Sequence, residues 1–173
     1  MNVITYDSPI GELTLIGDEH AVRELRFPGR GGALPGGSDD ASPPAPVRAA
    51  IEQLDAYFAG ELERFELELQ LEGTPFQRRV WDALRRIPYG ATTTYGALAR
   101  ELGAAEPRAI GGAVGRTPVP IIVPCHRVVG ADGSLTGYGG GLDRKRTLLA
   151  FEASGGDVAT LHTSWSQRQL ALL

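Results

Sequence analysis

The chain has 173 residues, 42% of them hydrophobic and 22% charged, which suits one compact globular unit or two small ones sharing an interface. No apolar run nears the ~20 residues that cross a bilayer, and no charged segment with an apolar core opens the chain, so the reading excludes a membrane protein and a secreted precursor and expects a cytoplasmic one. A single cysteine, Cys125, rules out an intrachain disulfide, and with only three histidines beside it a cysteine-built zinc site is ruled out too; no metal and no cofactor are expected.

The net charge of -4 conceals an asymmetry. Residues 1–75 carry five Lys/Arg against fourteen Asp/Glu, whereas residues 76–152 carry eleven against six. The basic second half permits a nucleic-acid partner, because phosphate contacts are local. Two oppositely charged surfaces that help the halves dock would give the same pattern.

In chain order, residues 2–27 read as strands. Val3 and Thr5, then Leu13 and Leu15, then Val22, Leu25 and Phe27 alternate with their neighbours, and Pro9-Ile10-Gly11 marks a turn. Ten of the nineteen residues from Pro28 to Pro46 are Gly or Pro, which predicts a flexible surface loop. Val47, Ile51, Leu54 and Phe58 recur at helical spacing before Gly60. Residues 66–71 alternate at period two and predict a strand. A boundary is placed near Gly73, which divides the chain into an N-terminal α/β domain (1–72), a C-terminal domain (73–153) and a tail of low structural content (154–173). Thr74, Pro75 and Gln77 form a capping box for a helix whose buried stripe is Phe76, Val80, Leu84 and Ile87 and which ends at Pro88-Tyr89-Gly90. A helix from about Thr94 to Leu102 with Gly103 as its cap, a turn at 104–106, and a helix from Pro107 make a helix-turn-helix candidate. Such pairs are more often plain core. The small residues Ala109, Gly111, Gly112 and Ala113 allow close approach either to a ligand or to another helix. Val119–Val129, interrupted by prolines, reads as a buried irregular strand. A glycine loop at 137–141 follows, then a last helix capped by Asp143 with Leu148 and Leu149 inside. The fold class expected is α+β: a small antiparallel sheet with a helix, then a mainly helical region holding the helix-turn-helix and the cysteine segment.

The informative stretch is Pro124-Cys125-His126-Arg127-Val128. A lone Cys in an apolar run is usually an inert core residue. Here Pro124 breaks the strand, and His126 and Arg127 bring positive potential that would favour the thiolate. On a regular strand residues 125 and 126 point to opposite faces, so either the backbone is irregular or a water joins them. No Gly-x-Ser-x-Gly elbow is present, and the glycine loop fits neither a P-loop nor a dinucleotide fingerprint.

The run from Val119 to Val129 resembles the active-site signature of the O6-alkylguanine-DNA alkyltransferases, also called methylated-DNA–protein-cysteine methyltransferases. Gly73-Thr74-Pro75-Phe76-Gln77, Ile87-Pro88-Tyr89-Gly90 with Tyr95, Arg108-Ala109-Ile110-Gly111-Gly112, Thr136-Gly137-Tyr138 and Leu148-Leu149-Ala150-Phe151-Glu152 stand in that family's order. The resemblance is strong over residues 73–152 and extends to the first half only in layout.

It implies a DNA repair protein that flips O6-alkylguanine out of a duplex and transfers the alkyl group to Cys125, irreversibly and once per chain. It implies that His126, oriented by Glu152, deprotonates Cys125 through a water, and that Tyr95 gives a proton to guanine N3. Backbone groups of Cys125, Val128 and Gly139 would read the purine edge, with Tyr138 as a wall. Arg108 would fill the gap in the stack, while Ala109, Gly111 and Gly112 would let their helix enter the minor groove of double-stranded DNA. A monomer without membrane attachment is implied, with cooperative binding along DNA left open. One departure concerns Thr117, which stands where the family usually has an Asn hinge; Thr offers an oxygen but no amide donors. The alternatives are a lesion-binding protein without chemistry and a cysteine hydrolase using Cys125 and His126.

Overall fold

The computed structural model describes residues 1–36, 42–104 and 106–162. The alternating first residues form an antiparallel meander of β1 (Asn2–Ser8), β2 (Gly11–Gly17) and β3 (Val22–Arg26). Tyr6 faces Leu13 and Ile4 faces Leu15 across the first pair, and Leu13, Leu15, Val22 and Leu25 bury one face of the sheet. Helix α1 (Ala45–Phe58) lays Val47, Ala50, Leu54 and Tyr57 against that region. Of the 28–46 loop, residues 28–36 and 42–44 lie outside helices and strands, while 37–41 lie outside the described residues.

Residues 66–71 are not a full strand. Their side chains alternate in exposure as the pattern requires, yet only Leu69 makes a bridge, parallel to Val22. Val22 N–H donates to Glu68 O at 2.9 Å and Gln70 N–H to Val22 O at 3.0 Å. Further along the same strand Leu25 N–H donates to Pro118 O, so the edge of β3 is shared with the second half and cannot carry a longer ladder.

The second half opens with α2 (Pro75–Leu84), whose Thr74–Gln77 capping box is present in full. The helix ends at Leu84, earlier than its apolar stripe suggested, although Ile87 is still buried. A two-residue strand β4 (Thr93–Thr94) leads into α3 (Tyr95–Leu102), capped by Thr94 and stopped by Gly103 in the left-handed conformation at φ 64°. Helix α4 (Pro107–Val114) follows; Ala105, in the turn between them, lies outside the described residues. Trp81 Nε1 donates to Ala113 O at 2.9 Å and ties α2 to this helix pair.

Three sequence expectations for the remainder need correction. The 119–129 segment is a buried irregular run that ends in a single 3₁₀ turn (Cys125–Arg127) and a two-residue strand β5 (Val128–Val129) parallel to β4. The last long helix, α5 (Leu142–Ala153), is capped by Gly141, with Asp143 inside its first turn, where a carboxylate suits the helix dipole. The segment after it is packed rather than structureless: Asp157 caps α6 (Val158–Leu161), whose Leu161 is fully buried. Residues 163–173 lie outside the described residues. The α+β architecture expected from the sequence is the one observed.

Candidate active site

Prolines at 118, 120 and 124 deny the 119–129 segment the donors of a regular strand. The chain takes instead a tight path in which Ile121 adopts φ 75°, a left-handed conformation that is rare for a β-branched residue. Cys125 N–H donates to Val123 O at 2.7 Å and Arg127 N–H to Pro124 O at 3.0 Å. The resulting 3₁₀ turn sends neighbouring side chains apart. Cys125 borders an open cavity of about 700 Å³, whereas His126 and Arg127 reach the carboxylate of Glu152 on α5.

Glu152 is the hub of a buried network. Its Oε1 lies 2.7 Å from His126 Nε2 and accepts from the Tyr57 hydroxyl at 2.8 Å and an Arg127 guanidinium nitrogen at 2.9 Å. Its Oε2 accepts from Arg127 Nε at 2.8 Å. Arg127 also donates to Ile87 O at 2.7 Å and lies over the Tyr89 ring. Burial disfavours the Glu152 charge, but the adjoining His126 and the hydrogen bonds from His126 and Arg127 outweigh it and hold the carboxyl well below the usual range. His126 Nδ1 is buried and has no hydrogen-bond partner among the described residues.

The thiol behaves differently from the sequence expectation. Burial pushes Cys125 up to about 11, against the Thr117 hydroxyl and the Lys145 ammonium, which pull it down. The neighbouring positive charge of Arg127 does not favour the thiolate, because it is neutralised by Glu152. Lys145 is itself fully buried; its Nζ donates to Val128 O at 2.6 Å and Thr136 O at 2.9 Å, which pins the chain on both sides of the 130–134 turn.

Of the residues singled out in the sequence, Cys125, Tyr95, Arg108, Gly111, Gly112, Thr117, Tyr138 and Gly139 line the one cavity. His126 and Glu152 are paired out of solvent and do not line it. Ala109 is exposed on α4 and Val128 is fully buried; neither lines the cavity. Thr117 lines the cavity with Cys125 and donates through Oγ1 to Val114 O at 2.8 Å, so its one hydroxyl proton is in use. Sequence reasoning missed Tyr57, Lys145 and Arg30, the last of which borders the cavity from the loop after β3. Lys145 could have been found: with Leu148 and Glu152 it shares one helical face, and a charge on an apolar face asks for a partner. Tyr57 left no sequence signal.

Residues 75–154 match the model of the 6-O-methylguanine DNA methyltransferase DNA binding domain, and residues 1–71 match that of the 6-O-methylguanine DNA methyltransferase ribonuclease-like domain. The chain belongs to the 6-O-methylguanine DNA methyltransferase family. A methylated-DNA–protein-cysteine methyltransferase of Mycolicibacterium paratuberculosis is 54% identical over 86% of this chain and 90% of its own length. One of Methanosarcina acetivorans is 47% identical over 86% and 96%. Among solved structures, the Mycobacterium tuberculosis OGT in complex with DNA superposes with a TM-score of 0.77 at 50% identity, covering 91% of this chain and 96% of that one. In this chain Cys125, His126 and Glu152 all fall in the DNA-binding match, whereas Tyr57 and Arg30 come from the ribonuclease-like one.

Proposed function

We propose that this chain is a DNA repair methyltransferase that moves an alkyl group from guanine O6 in double-stranded DNA onto its own Cys125, once per molecule. The observation that carries the reading is the thiol at the wall of the cavity, followed in the same 3₁₀ turn by a His126 that is buried against Glu152. Family membership and the names of the relatives support the same chemistry.

In the proposed step the Cys125 proton passes through a water to His126, whose imidazolium is held by Glu152. The sulfur then attacks the alkyl carbon, an S–C bond forms and the C–O6 bond breaks. Tyr95, at the cavity rim with its hydroxyl 3.4 Å from Thr136 O, gives a proton to guanine N3, so that guanine leaves as a neutral base. The thiol pushed up by burial makes this activation necessary, since little thiolate exists at neutral pH. A thioether has no good leaving group, and no second cysteine stands by to relieve Cys125, so turnover stops after one transfer.

The target atom sits inside a stacked duplex and must be everted at a cost of a few kcal/mol. Helix α4 supplies the means. Gly111 and Gly112 keep its cavity face slim enough for a minor groove about 6 Å wide, Ala109 is small and exposed beside them, and exposed Arg108 fills the place of the lost base. Tyr138, Gly139 and Cys125 wall the purine pocket. This reading divides the chain into domains 1–72 and 73–153 with a tail after them, acting as a monomer in the cytoplasm. Among the described residues no helix is long and apolar enough to cross a membrane.

The test uses a duplex carrying radiolabelled O6-methylguanine, followed by a denaturing gel and intact-mass analysis. One label per chain on Cys125 is expected, and Cys125→Ala abolishes transfer while binding persists. Binding without label would make the protein a lesion sensor, and label released to solvent would make it a hydrolase.

A further inference from the structure

The Tyr57 hydroxyl, on α1 in the first half of the chain, donates at 2.8 Å to the same carboxylate oxygen of Glu152 that lies 2.7 Å from His126 Nε2. We infer that Tyr57 is a positioning residue for alkyl transfer, setting the orientation and proton affinity of the His126–Glu152 pair from the ribonuclease-like half; the inference rests on the relay proposed above.

Three observations carry it. Tyr57 is fully buried and wedged edge-on among Phe58, Tyr89 and Phe151, with Phe65 tilted against it, so its hydroxyl has no room to swing away. Glu152 Oε1 accepts from Tyr57 and Arg127 and faces His126 as well, so these groups compete for the charge of one oxygen with two lone pairs. Finally, the phenol is a permanent donor, since burial and the adjoining Glu152 raise its ionisation well above the ordinary tyrosine range.

The groups facing this point are Glu152 from α5, His126 and Arg127 from the 3₁₀ turn, Tyr57 from α1 and Tyr89 from the turn after α2. Arg127 and His126 draw charge from Glu152 whether or not Tyr57 is there. Removing the phenol therefore leaves the carboxylate paired but returns electron density to Oε1. The imidazolium form of His126 is then better stabilised, and the neutral form that takes the thiol proton appears only at higher pH.

The test is the single-turnover transfer rate of full-length Tyr57→Phe against pH, with a ¹⁵N NMR titration of His126. The ring is retained, so DNA affinity stays at the native value, while the acid limb of the rate profile and the His126 titration both move up by about one pH unit, a tenfold slower transfer below it. His126→Gln serves as the control. If it transfers at the native rate, the relay itself is wrong. If it is slow while Tyr57→Phe leaves both the profile and the titration in place, the Tyr57 inference is overturned and the relay stands. Should Tyr57→Phe not fold, the native protein decides. A slowly exchanging Tyr57 hydroxyl proton with a cross-peak to His126 Nε2–H upholds the inference, and a freely exchanging hydroxyl without one overturns it.

Discussion

Phe27 occupies the space that any side chain at residue 140 would need: a Cβ on Gly140 would stand 2.7 Å from its ring. The same ring meets Tyr138 edge-on at 5.5 Å and lies under the Arg144 guanidinium. The end of the N-terminal sheet thus holds the glycine loop that walls the cavity. Gly140→Ala is expected to lower stability by about 1–3 kcal/mol through overpacking. Transfer should slow with it as Tyr138 is displaced. Adding Phe27→Ala relieves the clash, so in thermal melts the double variant should be more stable than the sum of the two single losses; strict additivity would mean that the two positions do not meet.

Glu152 neutralises Arg127 in a buried setting, so Glu152→Gln leaves a buried guanidinium without its counter-charge and is expected to cost about 3–5 kcal/mol by denaturant unfolding. The sign of the pH effect follows from the depressed carboxyl. A group held below its unfolded value near 4.3 stabilises the fold fully above that pH and loses the contribution as pH falls toward the folded value. Native protein should therefore lose stability below about pH 4.5 more steeply than Glu152→Gln. Parallel acid limbs would contradict the assignment.

Thr117 and Cys125 line the same cavity, and the Thr117 hydroxyl pulls the thiol down against burial. Thr117→Val keeps the shape and removes the hydrogen bond. The thiol's reactivity toward iodoacetamide at pH 8 should fall by about three- to tenfold, with the inflection of the rate moving upward in pH. An unchanged inflection would mean that the hydroxyl serves only Val114 O.

Arg108 is exposed and borders the cavity, so Arg108→Ala should leave the melting temperature within about a degree or two. Duplex repair should slow by at least about tenfold, while reaction with a free O6-alkylguanine base is little affected. Equal losses on both substrates would take Arg108 out of base eversion.

Local chemistry was legible in the residues alone. Period-two alternation located the three strands, the Thr74–Gln77 capping box and Gly103 located helix ends, and the motifs around Cys125 identified the family, because each depends on interactions within a few residues. Residues 66–71 show the limit of that reading: their alternation is real, but pairing depends on a partner edge, and Pro118 shares the edge of β3. The same limit applies at the site. That Cys125 and His126 part company on a 3₁₀ turn, and that burial rather than neighbouring charge rules the thiol, follow from how prolines and packing bend the chain. Tyr57 meets Glu152 across 95 positions of sequence, and Lys145 reaches two carbonyls on either side of a turn. No pattern in one dimension encodes such meetings, because desolvation and hydrogen-bond competition exist only once distant segments have closed on one another.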